Sequence, residues 1–398
     1  MPNIQDLSTI TLALKAQSGY GVPASGSGGT GILCLPSGGL QAQVSAIESA
    51  MIRTSRMRSR QRQGGRSATA SYETELSVGA LDDVFEGALG GTWVAAQDFT
   101  QADFTSLAIS GTGTTITAGS GSFLTEGFVA GQMLTLASMA TTGNNAVATP
   151  ILAVTASTLT IPSGYLVDET ADTSFTLTLH RHLFTTTPYV DRYFTVEEVW
   201  TELDTSKVGS DMRFNALNLS IQPNAYTKVG WGFGGPNLSV KTVGDSPVLT
   251  SPTTVSAESL IVLDGGIYVN GTKRSNLTGV TMGITAPVES IPLIGTVAAT
   301  DVTLGQFAFT GQVTGAVEDA TDFAAFDADT PLSMFLHHKE ADTEAFVSIY
   351  AGRLSFGGYA SPMGGAGALI QTMNLFGGED DRGAGYAPST FVVSTSAV

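Results

Sequence analysis

The chain has 398 residues, 47 of them glycine, and carries a net charge of −17 although only 13% of its residues are charged. That length leaves room for two or three domains with a sizeable core, and the abundance of glycine beside serine, threonine, alanine and valine points to short strands joined by tight turns. So acidic and sparsely charged a body excludes an ordinary nucleic-acid-binding surface, and a single cysteine, Cys34, excludes intrachain disulfides and multi-cysteine zinc sites.

The N-terminus, MPNIQDLSTITLALKAQSGYG, has no basic segment followed by an apolar core, so no secretory signal is expected. No run approaches the ~18–20 apolar residues of a membrane helix, and the chain reads as soluble, made in the cytoplasm and without a membrane partner. Residues 1–31 are rich in Gly and Ser and read as an arm, either a frayed tail or a segment that orders against a neighbouring subunit. Ile32–Ile52 holds two short strands around the turn residues Ser37-Gly38-Gly39. Then comes a cationic run: Arg53, Arg56, Arg58, Arg60, Arg62 and Arg66 are half of the twelve arginines, and with no acid among them they leave −23 on the rest of the chain. Next is a strand of period two, with Thr69, Ser71, Glu73, Glu75 and Ser77 on one face and Ala70, Tyr72, Thr74, Leu76 and Val78 on the other. A helix follows, with Leu81, Val84, Phe85, Ala88 and Leu89 forming one apolar stripe, Asp82 and Asp83 in its first turn and Gly90-Gly91 as its stop.

Residues 97–180 change character. They are Thr-, Ser-, Ala- and Gly-rich with short alternating runs such as Met133–Leu136 and Ser157–Ile161, and read as a small all-β domain inserted into a host. The host is expected at 32–96 and 181–240, a Pro/Ser/Thr-rich linker at 241–258, and a second strand-rich body at 259–398. Three marks suggest that the second body repeats the first. Gly38-Gly39-Leu40 matches Gly265-Gly266-Ile267 at a shift of 227, Thr69–Val78 matches Phe309–Glu318 at 240, and Phe233-Gly234-Gly235 matches Phe376-Gly377-Gly378 at 143. An acid-led helix beginning Thr321-Asp322 again follows the strand, and the drop in shift between the second and third marks fits an insertion in the first copy alone.

Catalytic patterns are missing. Gly271-Thr272-Lys273-Arg274 lacks the spacing of a phosphate loop, and no serine fits G-x-S-x-G. The pairs His180/His182 and His337/His338 match no metal motif, and Glu379-Asp380-Asp381 reads as a solvated acidic loop, so neither cofactor nor metal is expected. Two features remain. The arginine run lacks the interleaved aromatics of a single-strand-binding patch and reads as a solvated loop or, preferably, as a docking loop that meets the acidic surface of another copy. Glu73 and Glu75, with Glu318 in the second body, form either an ordinary solvent face or a wall of carboxylates along an enclosed channel.

Arg60–Arg66, the strand bearing Glu73 and Glu75 and the helix ending Ala88-Leu89-Gly90-Gly91-Thr92-Trp93 resemble the tail tube (major tail) proteins of long-tailed, siphophage-like bacteriophages. Gly121–Gly131, Asn144-Asn145 and Leu159–Ile161 resemble a small β-module that such proteins carry as an insertion, and Tyr193–Glu198 with Met212–Ile221 continue the likeness. The resemblance implies a mainly β fold of duplicated sandwich domains, each with a flanking helix, whose sheets join those of neighbours into a closed inner barrel. It implies a non-enzymatic virion protein, made in the host cytoplasm, that stacks in rings around a tape-measure protein. The tail terminator and distal tail protein would be further partners, and genomic double-stranded DNA would pass through without sequence-specific binding. With the fold duplicated, three chains would close a ring of sixfold pseudo-symmetry; a hexamer is the alternative. A β-rich carbohydrate-binding adhesin is the competing class, but only three tryptophans are present.

Overall fold

A computed structural model describes all residues except 1–4, 53, 58, 256, 292, 297, 300, 319–320, 341–343, 362–367 and 397–398. In the first of two blocks, β1 (Ile10–Ala16) and β2 (Thr30–Ile32) lead into a long hairpin, β3 (Gly38–Ile47) with β4 (Arg62–Glu75), and then helix α1 (Asp82–Leu89). After an inserted module come β5 (Arg181–Phe184), β6 (Phe194–Trp200), β7 (Thr205–Ile221), β8 (Lys228–Gly235) and β9 (Asn237–Lys241). The second block contains β10 (Ile261–Val269), β11 (Leu277–Thr285), β12 (Ala308–Ala316), α2 (Thr321–Asp327), β13 (Leu332–Lys339), β14 (Phe346–Ala360), β15 (Ile370–Gly377) and β16 (Val392–Thr395).

Local sequence accounts for the best-formed elements. Along β4, Ala68, Ala70, Tyr72 and Thr74 turn into the core while Ser71, Glu73 and Glu75 turn away, as alternation requires. In α1 the stripe Val84, Phe85, Ala88 and Leu89 is buried, and the helix stops where Gly90 takes φ +57° and its N–H returns to the Glu86 carbonyl. Strand β7 serves two sheets. Its first half pairs with β6 and β9 and its second half with β8 and β11. Likewise β14 pairs first with β13 and β16 and then with β15. Each block is therefore a sandwich hinged on one long strand, filled in the first block by Phe194, Phe214, Trp231, Phe233 and the apolar face of α1. Where β7 meets β11 the blocks merge into one continuous sheet in the order β3–β4–β8–β7–β11–β12–β15–β14. Among the described residues this sheet is open and not closed into a barrel.

The registers show that the blocks are copies of one plan. Phe214 lies opposite Phe233 and Ala216 opposite Gly232, with the ladder irregular between them. Adding 142 to each number gives Phe356 opposite Leu375 and Gly358 opposite Asn374, with the same irregularity. A second irregularity, between Phe194 and Val196, recurs between Leu332 and Met334. Such bulges are built features of a fold, and two coincide.

Three of the sequence matches need correction. Phe233 is 1% exposed and Phe376 is 62% exposed, so the shift of 143 pairs opposite faces; the true shift there is 142. The strand match at 240 is also one residue out, since a shift of 241 sets core residue Tyr72 on core residue Val313. A one-residue slip turns over every side chain of a strand, and the small residues in these segments hide the slip. Gly38-Gly39-Leu40 has no counterpart at Gly265-Gly266-Ile267. Leu40, opposite Ala70, corresponds to Met282, opposite Gly311, whereas Gly265–Ile267 lies in β10, which pairs with β13 as β1 pairs with β6.

Residues 97–180 hold two small sheets around a hydrophobic cluster of their own, where Phe99, Phe104, Phe123 and Phe128 pack together. The module leans on the second block: its Ala130 and Met133 pack with Tyr268, Phe335, Phe346 and Tyr350, and the Tyr165 hydroxyl donates to that of Tyr268 at 2.8 Å. The N-terminal segment is not a loose arm. Residues Ile10–Ala16 pair along the whole of β6 and bury Leu12 and Leu14, because this run is apolar enough to complete the sheet of its own chain. Nor is 241–258 a free linker. Short strands at Leu249–Thr250 and Thr253–Thr254 run parallel to Gly26–Ser27 and Thr30–Gly31, and the buried Glu197 carboxylate accepts the Val248 and Leu249 N–H groups at 2.8 and 2.6 Å.

Candidate functional site and assembly surfaces

The face of the continuous sheet turned away from the core is built mostly from small, neutral, polar side chains, with the Phe376 ring exposed near the end of β15 as the large apolar exception. Across the rungs it presents Ser71, Asn218, Ser220, Thr281, Thr310, Gln312, Thr314, Thr372 and Asn374, with glycines between. Glu73 and Glu75 lie on this face as expected, but Lys228 stands directly opposite Glu75. The second block does not repeat the carboxylates: Thr314 and Ala316 hold the places of Glu73 and Glu75. Glu318 is exposed two residues beyond the end of β12. The wall of carboxylates is thus a sparse pair on a hydroxyl- and amide-covered surface.

The arginine run is more ordered than a loop. Arg62 and Arg66 belong to β4, opposite Ile47 and Val44, so the hairpin extends well past the sheet. Arg56, Arg60, Arg62 and Arg66 are exposed, while Arg53 and Arg58 lie outside the described residues. Sequence reasoning missed the apolar company at the tip, where Met51, Ile52 and Met57 are all more than 70% exposed. Beside this hairpin, at the equivalent place between β11 and β12, the described residues of 286–307 make a second projection; Ala298 bridges to Arg66. It carries no Lys or Arg, only Glu289 and Asp301, and exposes Leu293 and Ile294.

The sheet ends in two edges, β3 and the second half of β14, with no strand beyond either among the described residues. On β3 the Leu40 main chain is held by side chains. Its N–H donates to Glu198 Oε2 at 3.0 Å and its carbonyl accepts from Lys207 Nζ at 3.4 Å. Glu198 also accepts from the Trp200 indole at 2.9 Å and the Tyr72 hydroxyl at 3.3 Å and pairs with Lys207 at 3.4 Å. Burial pushes the Glu198 carboxyl up, but the bonds from Leu40, Trp200 and Lys207 outweigh it and hold it below the usual carboxylate range. The only signal in the sequence was a pair of acids inside an otherwise apolar strand, FTVEEVW.

Elsewhere the polar clusters are structural. Asp380 is buried against Arg382, with an Nε–Oδ1 distance of 2.8 Å, and Asp381 pairs with Arg353, so the acidic loop is tied down and only partly solvated. His182 and His337 are buried between the inserted module and the second block, His338 is buried on the opposite face of β13 beside Leu336, and His180 stacks edge-on against Phe346 at 4.9 Å. Burial pushes His337 down to about 4, helped by Lys339 and Lys273, and pushes His338 down to about 3, helped by His337. Among the described residues no group of three or more His, Cys, Asp or Glu side chains converges to hold a metal, and no helix is long and apolar enough to cross a membrane.

No curated protein matches the chain. One family model does, over residues 8–375, a stretch that holds the first block, the inserted module, the second block as far as β15 and both open edges; the chain belongs to the phage tail tube protein family, a structural component of the virion tail.

Proposed function

We propose that three copies of this chain close a ring and that rings stack into the tube of a long, siphophage-like tail, through which genomic double-stranded DNA is delivered. One observation carries the reading. The junction of β7 with β11 inside the chain joins the end of one four-strand repeat to the start of the next, and the free edges on β14 and β3 are the counterparts of those two strands. An edge that remains open at both ends of a repeat invites addition of a further copy, and closure removes the exposed edges. Three chains supply six repeats, and the fold's internal pseudo-symmetry then becomes the symmetry of the ring. Six chains would supply twelve repeats and a wider lumen.

The neutral polar face would line the lumen, with Glu73 and Glu75 on it and Glu318 near its end. Hydroxyls and amides offer phosphates no fixed cations, and the carboxylates repel DNA over a Debye length of about 8–10 Å. Lys228 and Glu75 face each other across one rung, so their formal charges sum to zero there. This is a surface over which DNA slides. The two projections at one end of the sheet would dock on the next ring: the hairpin with Arg53, Arg56, Arg58, Arg60, Arg62 and Arg66 alternates around the ring with the acidic 286–307 projection. A tape-measure protein would occupy the lumen during assembly in the host cytoplasm, and the tail terminator and distal tail protein would cap the ends. The reading assigns no catalysis.

Negative-stain imaging and mass measurement of the purified protein test it. The expected result is rings or tubes built from units of about three times the 41.0 kDa chain. A chain that stays monomeric at high concentration refutes the reading, and a unit of six chains refutes the trimer.

A further inference from the structure

Glu198 on β6 and Lys207 on β7 lie opposite each other in the register, and their counterparts on β13 and β14 are Leu336 and Ile349, also opposite each other and with no exposed surface. The sandwich calls for apolar side chains at this place, and the second block has them. The first block substitutes a carboxylate and an ammonium. Burying such a pair gives little stability compared with well-packed hydrophobic residues, so packing does not account for it.

The difference follows what lies at the neighbouring strand edge. In the second block, the Ala286 N–H donates to the Asn215 carbonyl at 2.7 Å, and alternation along β11 turns the Met282 main chain toward its partner Leu219. The edge beside Leu336 and Ile349 is therefore already occupied by a strand. Leu40, the counterpart of Met282, has no strand beside it; there the Glu198 carboxylate receives the N–H and the Lys207 ammonium serves the carbonyl. An acceptor on the N–H and a donor on the C=O are what an incoming residue exchanges in a hydrogen-bonded antiparallel rung. The ion pair stands in for the missing strand.

We propose that the β3 edge around Leu40 is the surface onto which β14 of a second copy adds, and that the Glu198–Lys207 pair plugs this edge in the unassembled chain and gives way when that strand arrives. The inference rests on the ring reading above. Transferring the β7–β11 register sets Ala42 opposite Tyr359 and Leu40 opposite Ser361 of the neighbour. An uncapped edge would let free chains pair prematurely, whereas a plug of two side chains is removable by rotation without unfolding the sandwich.

The test replaces the plug with the second block's own pair, Glu198→Leu with Lys207→Ile. In the unassembled variant the Leu40 amide is expected to exchange with solvent on the order of 10–100-fold faster, the loss of one charge-assisted hydrogen bond, and to regain protection in rings. Rings should form at a concentration about tenfold lower than wild type, the step equivalent to one such bond. Unchanged Leu40 exchange, or unchanged ring-forming concentration in a folded variant, overturns the plug. If the double variant does not fold, Glu198→Gln, which keeps the shape and removes the charge, should shift both readouts in the same direction by a smaller factor, and no shift overturns the proposal. A wild-type chain that forms no ring at any concentration defeats the ring reading instead, and Leu40 exchange in the monomers still decides whether the pair caps the edge.

Discussion

Gln41 and Ala360 give the ring closure a residue-level test. Inside the chain Asn218 pairs with Gly283 where β7 meets β11. Carrying Asn218 forward to β14 gives Ala360, and carrying Gly283 back to β3 gives Gln41, so these two residues should face each other between neighbouring chains. The main chain of Leu40 points outward, so that of Gln41 points back toward β4, and the pair falls on a rung without hydrogen bonds. There the Cα atoms lie about 4.5 Å apart, inside the range of about 4.4–6.8 Å that a disulfide spans. Moving one partner two residues along, to Gln43, adds about 6.8 Å along the strand, and the separation grows to about 8 Å, too far to bridge. Both Gln41 and Ala360 are exposed, so cysteines there should not disturb the core. Cys34 does not interfere, since burial pushes its thiol up to about 12 and keeps it protonated. Assembled rings of Gln41→Cys/Ala360→Cys, oxidised and run without reductant, should give a covalent ladder ending at three chains. Gln43→Cys/Ala360→Cys should stay monomeric on the gel. Rings that assemble yet show no ladder with the first pair, or show one with the second, refute the transferred register.

Three other outcomes follow from the same geometry. Replacing Arg56, Arg58, Arg60 and Arg62 with Ser should leave the melting temperature unchanged, because the described ones among them are exposed, and should shorten or abolish tubes while rings persist; tubes of normal length would sink the docking role. Phe233→Ala should destabilise the chain by about 3–5 kcal/mol, whereas Phe376→Ala should cost less than about 1 kcal/mol, and similar losses in denaturant melts would contradict the assignment of faces. Because His337 and His338 are held below the ordinary histidine range, the unfolded chain takes up their protons first. Their contribution is therefore full above about pH 6.5 and is lost as pH falls toward 4. His337 alone accounts for about 3 kcal/mol at pH 4, at about 1.4 kcal/mol per unit. Thermal melts between pH 7 and 4 should show this fall, and His337→Phe/His338→Leu should flatten it; an unchanged slope in that variant would refute the assignment.

Local pattern alone determined much of this protein. The alternation of Thr69–Glu75 set a half-buried strand, the spacing of Leu81, Val84, Phe85, Ala88 and Leu89 set a helix that stops at Gly90, and a shift in composition marked the module at 97–180. These are short-range properties of period and turn chemistry, which a sequence carries openly. The duplication was also legible, but not its register. Matching Gly-Gly turns cannot distinguish one strand face from the other, and only the paired bulges at Asn215 and Gly357 fixed the shift at 142. The N-terminal segment looked loose because its partner, β6, lies some 180 residues away in the chain. The plug was hidden for the same reason. Glu198 and Lys207 look like ordinary strand charges until the tertiary fold brings them to Leu40, on an edge that the counterpart sheet in the second block has already filled.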